Sequence, residues 1–129
     1  MTAPNYHLLS ELPWENPADA PPELAELAAK AKGTTARRAP VTSGALGFHS
    51  QISELPAAYE IPRHSHSAAE LMVVLDGGCQ VTDGPELAAG DVVEIPADSE
   101  YGFVAGSAGI RFMVIRQQAS KTSVAVAEH

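Results

Sequence analysis

Cysteine is nearly absent from this chain: Cys79 is the only one in 129 residues. A lone cysteine excludes an intramolecular disulfide and a paired-cysteine zinc site, and it fits a reducing compartment. Basic residues are scarce too, eight Lys and Arg against sixteen Asp and Glu, for a formal charge of −8. The imbalance is uneven: residues 1–40 hold five acids and four bases, residues 41–129 eleven acids and four bases. A nucleic-acid surface needs clustered Lys and Arg, and the doublet Arg37-Arg38 is too small to make one. An acidic exterior of this kind mostly serves solubility. No apolar run approaches the ~20 residues of a membrane span. The start, Met1-Thr2-Ala3-Pro4-Asn5-Tyr6, has neither a basic cluster nor an apolar stretch, so no secretory signal is expected. These absences predict a cytoplasmic protein that partners neither nucleic acid nor membrane. Gly-x-Ser-x-Gly, a phosphate-binding glycine loop and a dinucleotide fingerprint are also missing, which sets aside those enzyme classes.

What is present suffices for one domain with a real core. Residues 1–45 read as an N-terminal arm, a short helix and a linker packed on the remainder, residues 46–129. The arm is rich in Pro, Asn and Asp, and its Leu8, Leu9, Leu12 and Trp14 suggest that it docks. The spacing predicts a helix over 22–32: Pro22 opens it, Glu23 and Glu26 lie in its first turns, Lys30 and Lys32 close it, and Gly33 follows. Gly33 to Pro40 reads as linker. From Leu46 the period changes to that of strands. Strands are expected over 46–53, 70–75, 78–82, 91–95, 101–105 and 109–116, with a further one over 121–127. The turns between them are Asp76-Gly77-Gly78, Asp83-Gly84-Pro85, Ala89-Gly90-Asp91 and Gly106 to Gly109. Short strands with regular turns indicate an all-β sandwich or barrel.

The chemistry concentrates in Arg63-His64-Ser65-His66-Ser67-Ala68-Ala69-Glu70. Two histidines one residue apart on an extended chain share a face, with Cα atoms roughly 6.5–7 Å apart. Glu70 opens the apolar run Leu71 to Leu75 and can add a carboxylate from a neighbouring strand. Two histidines and one carboxylate form a known ligand set for open, reactive metal sites. A His-x-His pair can equally cap a turn after Pro62 and bond nearby backbone, so the wider pattern has to decide.

From His64 the chain reads His-x-His-x3-Glu-x6-Gly, ending on Gly77, and a second block at Gly90-Asp91-Val92-Val93-Glu94-Ile95-Pro96 reads Gly-x5-Pro. Together these resemble the two motif blocks of the cupin superfamily, over roughly residues 46–116. The resemblance implies an all-β jelly-roll barrel (a double-stranded β-helix), to which the N-terminal arm and the one short helix read above are added. It also implies that His64, His66 and Glu70 hold a divalent transition metal such as Fe, Zn, Ni or Mn at the barrel mouth. The chain departs from the family pattern at three positions. Ala58 stands where a glycine is usual, Asp98 replaces a turn glycine, and Tyr101 stands where the last metal-binding histidine is expected. Aspartate visits left-handed conformations more easily than most residues, so Asp98 is tolerable.

Tyr101 therefore carries three readings: a ligand, a proton-transfer (catalytic) group, or an aromatic that packs or hydrogen-bonds beside the metal. Cys79 reads as core, His49 as a half-exposed strand residue, and Glu100 as pointing away from whichever face Tyr101 takes. Functionally, a metal-dependent enzyme on a small organic molecule leads, as an oxygenase, isomerase or lyase, with non-haem dioxygenase-like chemistry foremost. A non-catalytic metal or small-ligand sensor is the alternative, and a vestigial site serving an oligomer the third. Family resemblance also implies a homodimer.

Overall fold

In the computed structural model, residues 3–19 and 29–124 are described. Eight strands follow one another: β1 (Arg37–Ser43), β2 (His49–Leu55), β3 (Glu60–His66), β4 (Glu70–Val81), β5 (Glu86–Ala88), β6 (Val92–Ile95), β7 (Tyr101–Arg116) and β8 (Thr122–Val124). All pairings are antiparallel. The sheet runs β1-β2-β7-β3-β8, and β4 pairs with β5, β6 and β7. The expected jelly-roll barrel is the fold.

Two long strands do the curling. β7 meets β2 along its C-terminal half, β3 along its N-terminal half, and β4 along both. Asp76-Gly77-Gly78 and Gly106 to Gly109, expected as turns, instead lie inside β4 and β7, which continue through them. Gly77 and Gly109 have φ of 68° and 74°, and the β4–β7 register shifts between Val74 and Asp76 and again between Gly77 and Cys79. The glycine signal marks a bulge here, because the strand bends without reversing. A Cβ on Gly77 would collide with the Gly109 carbonyl, so the two strands cross at their closest where only glycine fits.

Linker was expected as far as Pro40, but Arg37–Ser43 is β1, paired with β2 from Arg37↔Glu54 to Ser43↔His49. The basic doublet hid this strand, since its partly buried face is short and interrupted by Pro40. β3 was also missed as a complete strand, because Pro62 and three polar or charged neighbours break its alternation. Most of the helix expected over 22–32 lies outside the described residues. Its last turn, at Ala29 to Ala31, is helical and ends on Gly33 with φ 76°. Positive φ also occurs at Ala58 (61°) and Asp98 (62°), the two positions where the family pattern has glycine. The backbone keeps the turn that glycine would make, and Asp98 occupies the left-handed conformation as expected.

The core joins Leu55, Met72, Val74, Ile95, Phe103 and Ile110, with Phe103 and Phe112 edge to face at 5.6 Å. Cys79 lies within it, 4% exposed, as a small apolar side chain. The N-terminal segment is tied to this body by backbone bonds between Glu15 and Arg38 and by Trp14 against the Arg37 guanidinium, 4.0 Å from its ring centre. Asn16 Nδ2 donates to the carbonyls of Ala31, Thr34 and Ala36, joining the end of the helical turn to the start of β1. Among the described residues, no helix is long and apolar enough to cross a membrane.

Candidate functional site

Strand register brings the sequence-singled residues together. His64 on β3 lies opposite Tyr101 on β7, and Glu70 on β4 lies opposite Arg116, also on β7. Strand alternation then turns the side chains of all four to one side, with His66 two residues beyond His64 on the same face. The rings of His64 and His66 are 4.8 Å apart and nearly perpendicular, and Tyr101 stands 4.4 Å from His64. His64, His66, Tyr101 and Arg116 line a barrel cavity of about 260 Å³, and the Glu70 carboxylate is bonded to the last two of them. Apolar side chains such as Leu55, Ile61, Phe103 and Phe112 form much of its wall.

Each polar group in this cluster is held by another. His64 Nδ1 donates to the Pro62 carbonyl at 2.9 Å, and His66 Nδ1 meets the Thr122 hydroxyl at 2.9 Å. The Glu70 side chain has no solvent exposure. Its Oε1 accepts the Tyr101 hydroxyl at 2.5 Å and its Oε2 accepts Arg116 Nε at 2.7 Å. His66 Nε2 faces Glu70 Oε1 at 3.6 Å. Burial holds the His64 imidazole below its ordinary pKa, against the opposing pull of the Pro62 carbonyl and the Glu70 carboxylate. Tyr101 is pushed well above the usual phenol value, first by burial and then by the negative charge of Glu70 beside it. At neutral pH the phenol is therefore protonated and serves as a donor.

The donor chemistry suits a divalent transition metal. Two imidazoles, each with Nδ1 fixed by a second hydrogen bond, are oriented as ligand histidines usually are, and a carboxylate stands beside them. The carboxylate is already occupied, however. Among the described residues, no three His, Cys, Asp or Glu side chains stand in a metal-holding arrangement. To hold a metal, Glu70 would offer a lone pair that Tyr101 and Arg116 leave free, or give up one of the two bonds.

Arg116 is the residue that sequence reasoning missed. Its signal was present: along Ile110, Phe112, Val114 and Arg116 the alternate positions of β7 face inward, and the series ends in a cation. Removing it would strand a fully buried carboxylate, a change that costs about 3–5 kcal/mol where one partner of a buried pair is lost. Arg116→Met is expected to lose that much stability in urea unfolding of the metal-free protein, and Glu70→Leu/Arg116→Met to recover most of it. An unaltered midpoint in the single variant would show that the pair does not hold the site together. Of the remaining candidates, Glu100 is exposed and His49 is half-buried at the start of β2, outside the cavity lining.

A small all-β jelly roll with a His-His-Glu-Tyr cluster at one end of its barrel defines the class. The chain belongs to the cupin family: the family model described as "Cupin domain" matches residues 51–116. A curated relative, the dimethylsulfoniopropionate lyase DddW of Ruegeria pomeroyi, is 39% identical over 64 residues. That match covers 47% of this chain and 42% of the relative, so the chain aligns with less than half of that enzyme. Among solved structures, an RmlC-like cupin from Shewanella frigidimarina superposes with a TM-score of 0.64 at 17% identity, over 90% of this chain and 93% of the other. The polyketide cyclase RemF from Streptomyces resistomycificus gives 0.62 at 20% identity, covering 72% of each chain. At these identities the structural likenesses establish the fold alone.

Proposed function

We propose that this protein is a metal-dependent enzyme of the lyase type, acting on a small organic molecule in the barrel cavity. The observation that carries the reading is the buried phenol of Tyr101, resting on Glu70 beside two oriented imidazoles that line that cavity. His64, His66 and Glu70 would hold the metal, which when bound supplies Lewis-acid polarisation of a substrate oxygen. Tyr101 holds a proton at its hydroxyl in a water-poor site, where a positioned acid–base group is effective. His64, kept neutral by burial, retains the form in which imidazole coordinates. The cavity volume bounds the ligand's size, since it lies just below the ~300–1,000 Å³ usual for ligand pockets.

The likeness to a dimethylsulfoniopropionate lyase favours elimination over the dioxygen chemistry that the motif first suggests. The test uses the metal-loaded protein with dimethylsulfoniopropionate, following dimethyl sulfide in the headspace and acrylate in solution, beside a dioxygen electrode. Release of both products in equal amounts without oxygen uptake is expected. Oxygen consumption coupled to substrate loss would replace the lyase reading with an oxygenase. Metal bound without turnover of either kind would favour a non-catalytic binding module.

A further inference from the structure

The charge of the cavity is opposite to that of the chain. Four of the eight Lys and Arg residues, Lys30, Arg37, Arg38 and Arg116, line it, and among the described residues no Asp or Glu does. In a protein of formal charge −8 this places half the positive charge around one small space. Three of these cations come from the segment that precedes the family match, at the helical turn and β1, and close over the barrel from outside the motif region.

Their partners divide them. Lys30 faces Glu60 at 3.7 Å, Arg37 is bonded to Glu54 and stacked on Trp14, and Arg116 is committed to Glu70. Arg38 differs: among the described residues, no carboxylate lies within ion-pair distance of its guanidinium. Its backbone is nevertheless fixed, paired to Glu15 on one side and Ser53 on the other. A half-buried arginine at a cavity, on a backbone fixed from both sides and with no carboxylate beside it among the described residues, is suited to receive an anion.

We propose that Arg38 is the specificity determinant that anchors the carboxylate of a small organic monocarboxylate, whose carbon chain lies against Ile61, Phe103 and Phe112. One planar guanidinium matches one carboxylate in a two-point bond, and an apolar wall suits a monocarboxylate better than a phosphate, which needs several converging donors. The inference uses the same cavity as the lyase reading but requires neither metal nor turnover. It assigns the selecting residue to β1, outside the strands that carry the histidine cluster.

Binding is read directly on the full chain, freed of metal, by ligand-observed NMR with propionate and butyrate beside propionamide and butyramide. The acids are expected to bind at least ~10-fold tighter than the amides, about 1.4 kcal/mol. Arg38→Gln should abolish that preference, Arg38→Lys should restore part of it, and Lys32→Gln, an exposed cation outside the cavity, should leave it intact. Competition by inorganic phosphate at equal concentration would overturn the assignment to carboxylate, as would equal binding of acids and amides. A preference that survives Arg38→Gln would transfer the role to another cation and contradict the proposal. An Arg38-dependent acid preference without elimination activity would sustain this inference and reject the lyase reading; elimination with no role for Arg38 would do the reverse.

Discussion

His64→Ala and His66→Ala should each strip most of the bound metal. Loss of an outer hydrogen bond to a ligand typically costs 10–100-fold in metal affinity, and loss of the ligand itself should exceed that, to more than ~100-fold. Each histidine is oriented independently, His64 from Pro62 and His66 from Thr122, so removing one ring leaves the other in place. Glu70→Gln should weaken binding less completely, because an amide oxygen still donates while the charge is lost. Metal titration monitored by calorimetry checks the order. The double variant His64→Ala/His66→Ala should bind no stoichiometric metal, and full occupancy there would end the assignment.

Tyr101→Phe should separate metal binding from catalysis. Phenylalanine keeps the ring that packs 4.4 Å from His64 but removes the hydroxyl that Glu70 Oε1 accepts. If the phenol transfers a proton, metal content should remain near that of the parent and turnover should fall ~10²–10⁴-fold, the usual contribution of a positioned acid–base group. A fall in metal content would instead make Tyr101 a ligand, and with ferric iron it would remove a phenolate absorption band in the visible. Turnover within a few-fold of the parent would reduce the residue to packing.

The motif was legible because its spacing is set by strand geometry. His64 and His66 share a face through strand alternation, and Glu70 follows after the Ser67 to Ala69 connection at the start of β4, which like β3 pairs with β7, so seven residues of sequence contained all three groups. Tyr101 was legible too, as the residue occupying the last position of a degenerate block. Register was not. Nothing local to Glu70 announces Arg116, forty-six positions later, as its cross-strand partner, and the carboxylate was therefore expected to be available. The glycine runs misled for a related reason: a positive-φ glycine is needed equally by a turn and by a bulge, and only the pairing of β4 with β7 distinguishes the two. β1 was hidden because its residues are chosen for the cavity as much as for the sheet. Arg37 and Arg38 weaken the strand signal in the very segment where the structure places them over the barrel.

X-ray absorption spectroscopy of the protein purified without added metal tests most directly whether His64, His66 and Glu70 hold a metal. The expected result is a divalent transition metal near one equivalent, bound by two imidazole nitrogens together with oxygen donors, with the imidazole signal lost in His64→Ala/His66→Ala. Protein that takes up no metal even when reconstituted, or a metal whose coordination is the same in that double variant, would contradict it.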